Sequence, residues 1–383
     1  MGAAGGVRIA PGALYPGVVG LFDRMAADDY EQVVHCHDPG TGLRAIVAIH
    51  STRLGPALGG TRCYPYADEE AALTDVLRLA QGMTYKAAAA GLDAGGGKAV
   101  IIGDPRSVKT EALLRAYGRF VDTLGGRYLT AEDVGTTQAD MDLIRTETTR
   151  VTGTSLALGG SGDPSEATAD GLLSAITAVC ADNLAGSDHR LTGLRVVISG
   201  VGKVGSGLAR RLVAAGANVT VADVDADRVV ALKAELGVPA VSPDDAHRTP
   251  CDVFSPCALG ACLSEETIPE LACRIVVGAA NNQLATPADA RRLSDRGIVY
   301  APDFVVNAGG VINLCGELAP GGYHPELARQ RVAAIGHTLR EVLADAEARG
   351  ITTAEAAERR AERRIAALGG IQHLRTFPPP RSA

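Results

Sequence analysis

Two lysines set the first chemical question. Lys86 closes the segment GMTYK and is followed by four alanines, while Lys98 follows Gly95, Gly96 and Gly97. A lysine in such small, apolar surroundings is desolvated, and a second ammonium nearby lowers its pKa further, as a general base working near neutrality requires. A less perturbed partner stays charged and can hold a substrate carboxylate. By residue type alone, two lysines snorkelling to water are the commoner arrangement, so both readings stay open. Asp133, in TAEDVGTT (130–137), reads in isolation as an N-cap or loop carboxylate more readily than as a proton carrier. The glycine run is not a phosphate loop: Leu92 stands where that motif needs Gly, and Ala99 where it needs Ser or Thr.

A second constellation is more specific. The apolar run VVISG leads into Gly200, Gly202 and Gly205 at the spacing GxGxxG, and Asp223 follows 23 residues after Gly200, at the end of VTVAD. The first two glycines let backbone approach a pyrophosphate, the third lets the following helix pack closely, and the helix N-terminus favours the anion. Lys203 and Val204 sit inside that loop. Asp223 can accept from ribose hydroxyls and would repel a 2′-phosphate, which favours NAD over NADP; Lys203 pulls slightly the other way. Asp223 also reads as a turn carboxylate.

These groups need elements to hold them. Val33, Val34 and Leu43 to His50 predict two strands around the turn at Asp38, a hairpin that opens a β-sheet. From Asp68 an acidic start followed by Leu73, Val76, Leu77, Ala80 and Met83 predicts a helix carrying Lys86 and stopping near Gly91. Lys98 is then expected in a glycine-rich turn before a strand over 99–105, followed by a helix over 111–124 and a short run, 128–130, entering the loop that holds Asp133. Beyond residue 150, helix (167–183), strand (195–199), helix (205–215), strand (219–223) and helix (225–236) alternate, with short β segments at 252–254, 274–277 and 298–300. That alternation predicts a doubly wound parallel sheet. The chain ends in helix over 329–349 and again after the capping pair Thr352 and Glu355, before a frayed FPPPRSA tail.

The expected fold class is therefore α/β in two domains. Residues 1–150 form a mixed-sheet substrate and oligomerisation domain to which helices of about 337–383 return, and 151–336 form a Rossmann-type NAD domain. With 37 basic against 44 acidic residues and no run of Lys and Arg, a nucleic-acid partner is disfavoured. The start MGAAGGVRIAPGALYPG lacks signal-peptide character and no window approaches a membrane span, so a cytoplasmic protein is expected. Eight dispersed Cys, without CxxC or a Cys/His tetrad, suit a reducing compartment and imply no metal site. The 46 glycines are clustered rather than spread, which excludes low-complexity disorder.

In order, ALGGTR (57–62), GMTYK (82–86), GLDAGGGK (91–98), TAEDVGTT, GVGKVG (200–205), SPCALG (255–260), GAANNQL (278–284) and APDFVVNAGGVIN (301–313) resemble the glutamate, leucine, phenylalanine and valine dehydrogenase family, nearest its leucine/valine branch. The resemblance covers roughly residues 30 to 365. It implies that Lys98 and Asp133 are the catalytic lysine and aspartate, that Lys86 binds the α-carboxylate, and that Gly59 and Gly60 form a backbone wall against the substrate. It likewise places Asn282 near the carboxylate or nicotinamide ribose, and Ala279 and Asn281 beside the cofactor. Leu58, Val311 and Leu314 would line an apolar side-chain pocket, which disfavours glutamate.

The implied reaction is reversible NAD-dependent oxidative deamination of a branched-chain L-amino acid to its 2-oxo acid and ammonia. NAD takes the α-hydride, neutral Lys98 activates a water toward the resulting iminium, and Asp133 shuttles protons on the amino group. An aromatic amino acid is the alternative substrate, since Leu314 and GAANN also resemble phenylalanine dehydrogenases; a non-catalytic NAD-binding relative is the second alternative. A hydroxy-acid dehydrogenase is disfavoured because none of the eight histidines has an obvious acidic partner. The family further implies a homo-oligomer. Glu166 and Asp170 depart from the family's usual Pro and Tyr and put cofactor-side packing in question.

Overall fold

The computed structural model describes residues 20–184, 191–258 and 260–370. The first 19 residues, the FPPPRSA tail, His189, His373 and Leu259 of SPCALG lie outside the described residues.

A short helix α1 (Leu21–Ala27) precedes the expected hairpin, β1 (Gln32–Asp38) and β2 (Leu43–Ser51), which pairs antiparallel from Gln32 opposite Ile49 to Asp38 opposite Leu43. Next come β3 (Ala57–Tyr64), α2 (Glu69–Ala89), β4 (Gly95–Ile102), α3 (Pro105–Val108), α4 (Glu111–Thr123), β5 (Tyr128–Glu132) and α5 (Gln138–Arg145). The strands form one mixed sheet in the order β1-β2-β4-β3-β5, with β4 antiparallel to β2 and β3 parallel to both β4 and β5. Asp68 caps α2 by accepting from the Ala71 amide, and Gly91, at φ +73°, follows its end.

Lys98 is not in a turn. Gly95, Gly96, Gly97 and Lys98 are all part of β4, and the glycines are there because neighbouring backbone leaves no room for side chains. A Cβ on Gly96 would lie 2.1 Å from the Thr84 amide of α2, and one on Gly95 2.0 Å from the Ser51 carbonyl. The run that suggested a loop is thus a strand with a helix lying directly on it.

Alternation along the strands sorts the chemistry onto one face. Ala57, Cys63, Ala99, Ile101 and Tyr128 join the buried cluster under α4, with Leu113, Tyr117 and Val121. Val100 packs toward α2, and Leu58, Leu129 and Ala131 toward the rest of the molecule. Arg62 and Lys98 lie on these alternate positions and meet Asp133, the residue that follows β5, at one end of the sheet.

The second sheet follows helix α6 (Pro164–Asn183). It comprises β6 (Arg195–Ser199), β7 (Asn218–Ala222), β8 (Val253–Pro256), β9 (Ile275–Val276) and β10 (Val299–Tyr300), all parallel, in the order β10-β9-β8-β6-β7. Helices α7 (Lys203–Ala214) and α8 (Ala226–Leu236) follow β6 and β7, and α9 (Ala288–Asp295) precedes β10. Then α10 (Asp303–Val306) and α11 (Gly309–Cys315) line the space between the sheets.

The helix expected over 329–349 is two helices, α12 (Pro325–Ala333) and α13 (Ile335–Arg349). The Ser174 hydroxyl of α6 explains the break: it donates to the Ala333 carbonyl at 2.7 Å and accepts from the Gly336 amide at 3.1 Å, taking groups that would otherwise bond within one helix. Helix α13 packs on α6, whereas α14 (Thr353–Gly369), started by the Thr352/Glu355 capping box, lies on α2. There Arg360 and Arg364 donate to the carbonyls of Ala89 and Gly91. Among the described residues no helix is long and apolar enough to cross a membrane.

Candidate active site

The cleft between the two sheets gathers Leu58, Gly59, Gly60, Lys86, Lys98 and Asp133 from the first sheet and α2. From the second half it gathers Val204, Ala279, Asn281, Asn282, Val311 and Leu314. Twelve of the seventeen residues singled out in the sequence therefore line one space; Gly200, Gly202, Lys203, Gly205 and Asp223 form the loop beside it.

At its centre the Lys98 ammonium, only 5 % exposed, donates to Asp133 Oδ1 at 2.8 Å. Asp133 Oδ2 accepts from Arg62 Nε at 2.9 Å. Burial works to raise the Asp133 carboxyl, but the two cations overcome it and hold it down at about 2. Its backbone is fixed as well: the Asp133 amide donates to Thr136 Oγ1, which in turn donates to the Thr61 carbonyl.

Lys86 projects from the far end of α2 and donates to Asn281 Oδ1 at 2.9 Å. Asn307 Nδ2 donates to the same oxygen at 3.1 Å, so Asn281 rather than its neighbour joins α2 to the second half. Asn282 lines the cleft with φ at 52°, a left-handed turn that Asn tolerates. Burial pushes the Lys86 ammonium down to about 8, with Lys98 adding to the fall and Asp303 opposing it. Asp303 shifts the opposite way: burial raises its carboxyl and Lys86 restrains it.

The glycines beside the lysines are steric necessities. A Cβ on Gly59 would lie 1.8 Å from the Gly97 carbonyl oxygen, and one on Gly60 2.4 Å from that of Glu132. Their flat backbone leaves the cleft wall open, with Leu58, Ala131, Val311 and Leu314 supplying an aliphatic surface nearby.

The dinucleotide loop has the form its spacing predicts. Gly200 takes φ +104°, a Cβ on Gly205 would meet the Gly200 carbonyl oxygen at 1.9 Å, and a Cβ on Gly202 would enter open space, with only Arg228 at 3.9 Å. Gly202 is the N-cap of α7 and makes no side-chain cap, which leaves the first-turn amides for an anion. These residues fit a nicotinamide dinucleotide. Asp223 is both carboxylate and turn former, accepting from the amides of Val201 at 2.6 Å and Asp225 at 2.9 Å. Lys203 reaches across the cleft, 2.8 Å from Asp163 and 3.5 Å from Glu132.

Glu166 and Asp170 do not face this cleft. Both pair with Arg211, at 2.9 and 2.6 Å, and bind the flank of α6 to α7. Histidine–carboxylate pairs do occur, as at His247 and Glu270, 2.9 Å apart, but no described histidine lines the cleft. Sequence reasoning missed Arg62, Glu132, Asp303 and Asn307, all now beside the lysines. The signal for Arg62 was available: it lies within ALGGTR, on the same strand face as Leu58.

Comparison with known proteins agrees with this geometry. The model for "Glu/Leu/Phe/Val dehydrogenase, dimerisation domain" matches residues 30–150, and that for "Glutamate/Leucine/Phenylalanine/Valine dehydrogenase" matches 231–367. Between them, residues 195–254 match "NADP oxidoreductase coenzyme F420-dependent". The leucine dehydrogenase of Geobacillus stearothermophilus is 51% identical over 90% of this chain and 93% of its own length. The valine dehydrogenase of Streptomyces albus is 51% identical over 88% of this chain and 92% of its own. The crystal structure of L-tryptophan dehydrogenase from Nostoc punctiforme superposes with a TM-score of 0.75 at 43% identity, covering 91% of this chain and 99% of that one. With its two sheets, its lysine-lined cleft and relatives alike along nearly their whole length, the chain belongs to the Glu/Leu/Phe/Val amino-acid dehydrogenase family of nicotinamide-dependent oxidoreductases, in its leucine/valine branch.

Proposed function

We propose that this protein catalyses the NAD-dependent oxidative deamination of branched-chain L-amino acids, reversibly, to 2-oxo acids and ammonia. The observation that carries the reading is the convergence of Lys86, Lys98 and Asp133 on one cleft in which Leu58, Ala131, Val311 and Leu314 supply an aliphatic surface. Lys86 holds the substrate carboxylate as an ammonium, and Leu58, Val311 and Leu314 take the side chain. A bound nicotinamide supplies the hydride acceptor. Lys98, once neutral, takes a proton from the water that adds to the substrate's iminium carbon; Asp133 relays protons to and from the amino nitrogen, which leaves as ammonia.

Preference for NAD over NADP is supported by Asp223, whose carboxylate keeps lone pairs for ribose hydroxyls beyond the two amides it accepts from. The loop glycines, with Lys203, Val204, Ala279 and Asn281, are assigned to the cofactor; Gly59, Gly60 and Asn282 are assigned to the substrate. A homo-oligomer is supported by the dimerisation-domain description of the model matching residues 30–150. The proposal also divides the chain at about residue 150 into a substrate half and a cofactor half, and places the protein in the cytoplasm, where its dispersed cysteines suit the redox state.

The test is a panel of L-amino acids with NAD or NADP, followed by absorbance of the reduced cofactor. Turnover of valine, leucine and isoleucine with NAD is expected. Turnover of aromatic substrates alone would replace the substrate assignment, a preference for NADP would overturn the role of Asp223, and cofactor binding without any turnover would leave a binding protein.

A further inference from the structure

The contacts of Asp133 extend away from the substrate side in a way the reaction scheme does not use. Arg62, on β3, donates through Nε to Asp133 Oδ2 and through Nη1 to Asp75 Oδ2, both at 2.9 Å. Asp75 belongs to α2, the helix that carries Lys86, and its Oδ2 also accepts from the Tyr66 hydroxyl at 2.5 Å. Arg62 is therefore held at two of its nitrogens by two carboxylates and is only 20% exposed in its side chain. A guanidinium offers a planar fork of donors, so bonds at Nε and Nη1 fix its plane and with it the carboxylate it faces.

We propose that Arg62, pinned by Asp75 and Tyr66, is a positioning residue for the reaction: it fixes the charge and the aim of the Asp133 carboxylate toward Lys98. The inference rests on the reading of Asp133 as the proton carrier. Geometry gives the reason. Lys98 occupies Oδ1 and Arg62 occupies Oδ2, so when Lys98 gives up its proton, Arg62 remains the charge that keeps Asp133 ionised and the bond that keeps it from turning. A carboxylate left with neither would be a buried charge without a partner, and protonation would relieve it.

The other charged groups around Asp133 do not replace Arg62. Lys86 faces it from α2 but is bonded to Asn281, Glu132 is its neighbour on β5, and Lys203 of α7 is engaged by Glu132 and Asp163. Tyr66 and Asp75 approach through Arg62 itself.

Three variants test this: Arg62→Gln, Arg62→Lys and Asp75→Asn. Carbon-13 titration of the aspartate carboxyls, with Asp133 assigned by Asp133→Asn, reads the link directly and needs no turnover. The wild-type Asp133 carboxyl is expected to stay ionised from about pH 4.5 to 8, whereas in Arg62→Gln its midpoint rises by more than about two pH units, into that window. Arg62→Lys retains the charge and keeps Asp133 ionised. In kinetics, Asp75→Asn lowers kcat about tenfold while the KM for the amino acid and the Kd for NADH change less than about twofold, because only the aim of Asp133 is loosened. An Asp133 carboxyl that titrates alike in wild type and folded Arg62→Gln overturns the proposal, as does an Asp75→Asn enzyme of undiminished kcat. If Arg62→Gln does not fold, Arg62→Lys and Asp75→Asn decide: a kcat that falls while KM and Kd rise, all in step with a loss of thermal stability, means a merely structural role and overturns the proposal. A wild-type protein that turns over no amino acid refutes the dehydrogenase reading, while the carboxyl titration still decides whether Arg62 governs Asp133.

Discussion

Lys86 Nζ lies 2.9 Å from Asn281 Oδ1, a bond between residues 195 positions apart that joins α2 to the segment following β9 across the floor of the cleft. Its donor is the lysine that burial pushes down to about 8 from 10.5. A lysine so shifted is an ammonium below that pH and neutral above it, so the site holds a carboxylate best below pH 8. Binding of a non-reactive 2-oxo acid, measured by calorimetry, is expected to weaken by about tenfold per pH unit above about 8. Lys86→Arg, which stays charged, removes that dependence. By linkage the folded state binds fewer protons than the unfolded one between the two pKa values, so the cost of Lys86's charge is greatest at lower pH and fades as pH rises. Lys86→Met is accordingly expected to gain thermal stability at pH 7 relative to wild type, and less of it near pH 10.

The side-chain pocket gives a second prediction. Leu314 lines the cleft with Val311, and its Cδ2 lies 3.2 Å from where a Cβ on Gly153 would be. Leu314→Val removes one methylene of wall, and the freed space favours longer substrates. The ratio of kcat/KM for leucine over valine is expected to rise by about tenfold, within the ~1–3 kcal/mol that one methylene commands. A ratio that is unchanged or lower would place the substrate side chain elsewhere.

The dinucleotide loop separates binding from packing. A Cβ on Gly202 would enter open space where the cofactor phosphates are assigned, whereas one on Gly205 would strike the Gly200 carbonyl oxygen at 1.9 Å. Gly202→Ala is expected to melt within about 2 °C of wild type yet bind NADH at least about tenfold more weakly. Gly205→Ala is expected to lose stability as well as affinity, because the first turn of α7 must move off β6. Equal NADH affinity in Gly202→Ala and wild type would contradict the site.

Much of this was legible in the sequence because the relevant signals are local. The hairpin around Asp38, the acidic helix start from Asp68, the Thr352/Glu355 box and the strand–glycine–helix unit at 195–214 each need only neighbouring residues, and each forms where expected. Features imposed by distant contacts were not legible. Gly95 to Gly97 read as a turn because glycine weakens a strand, and only the approach of Thr84 and Ser51 reveals why they are in β4. The break at Ala334 has no local breaker and depends on Ser174 of another helix. In the site, Lys86, Lys98 and Asp133 were named by their motifs; Arg62 was passed over although it shares the motif ALGGTR with Leu58, and its two partners, Asp75 and Asp133, stand thirteen and 71 positions away.

The central claim is that Lys98, paired with Asp133 in this cleft, is the base of an amino-acid dehydrogenase. It is tested most directly by following absorbance at 340 nm, where NADH absorbs, in wild type and Lys98→Ala supplied with NAD and L-leucine at alkaline pH. The wild type is expected to form NADH, and Lys98→Ala to be slower by about 10³-fold or more while its NADH affinity is retained. NADH formation at the wild-type rate by Lys98→Ala would contradict the account.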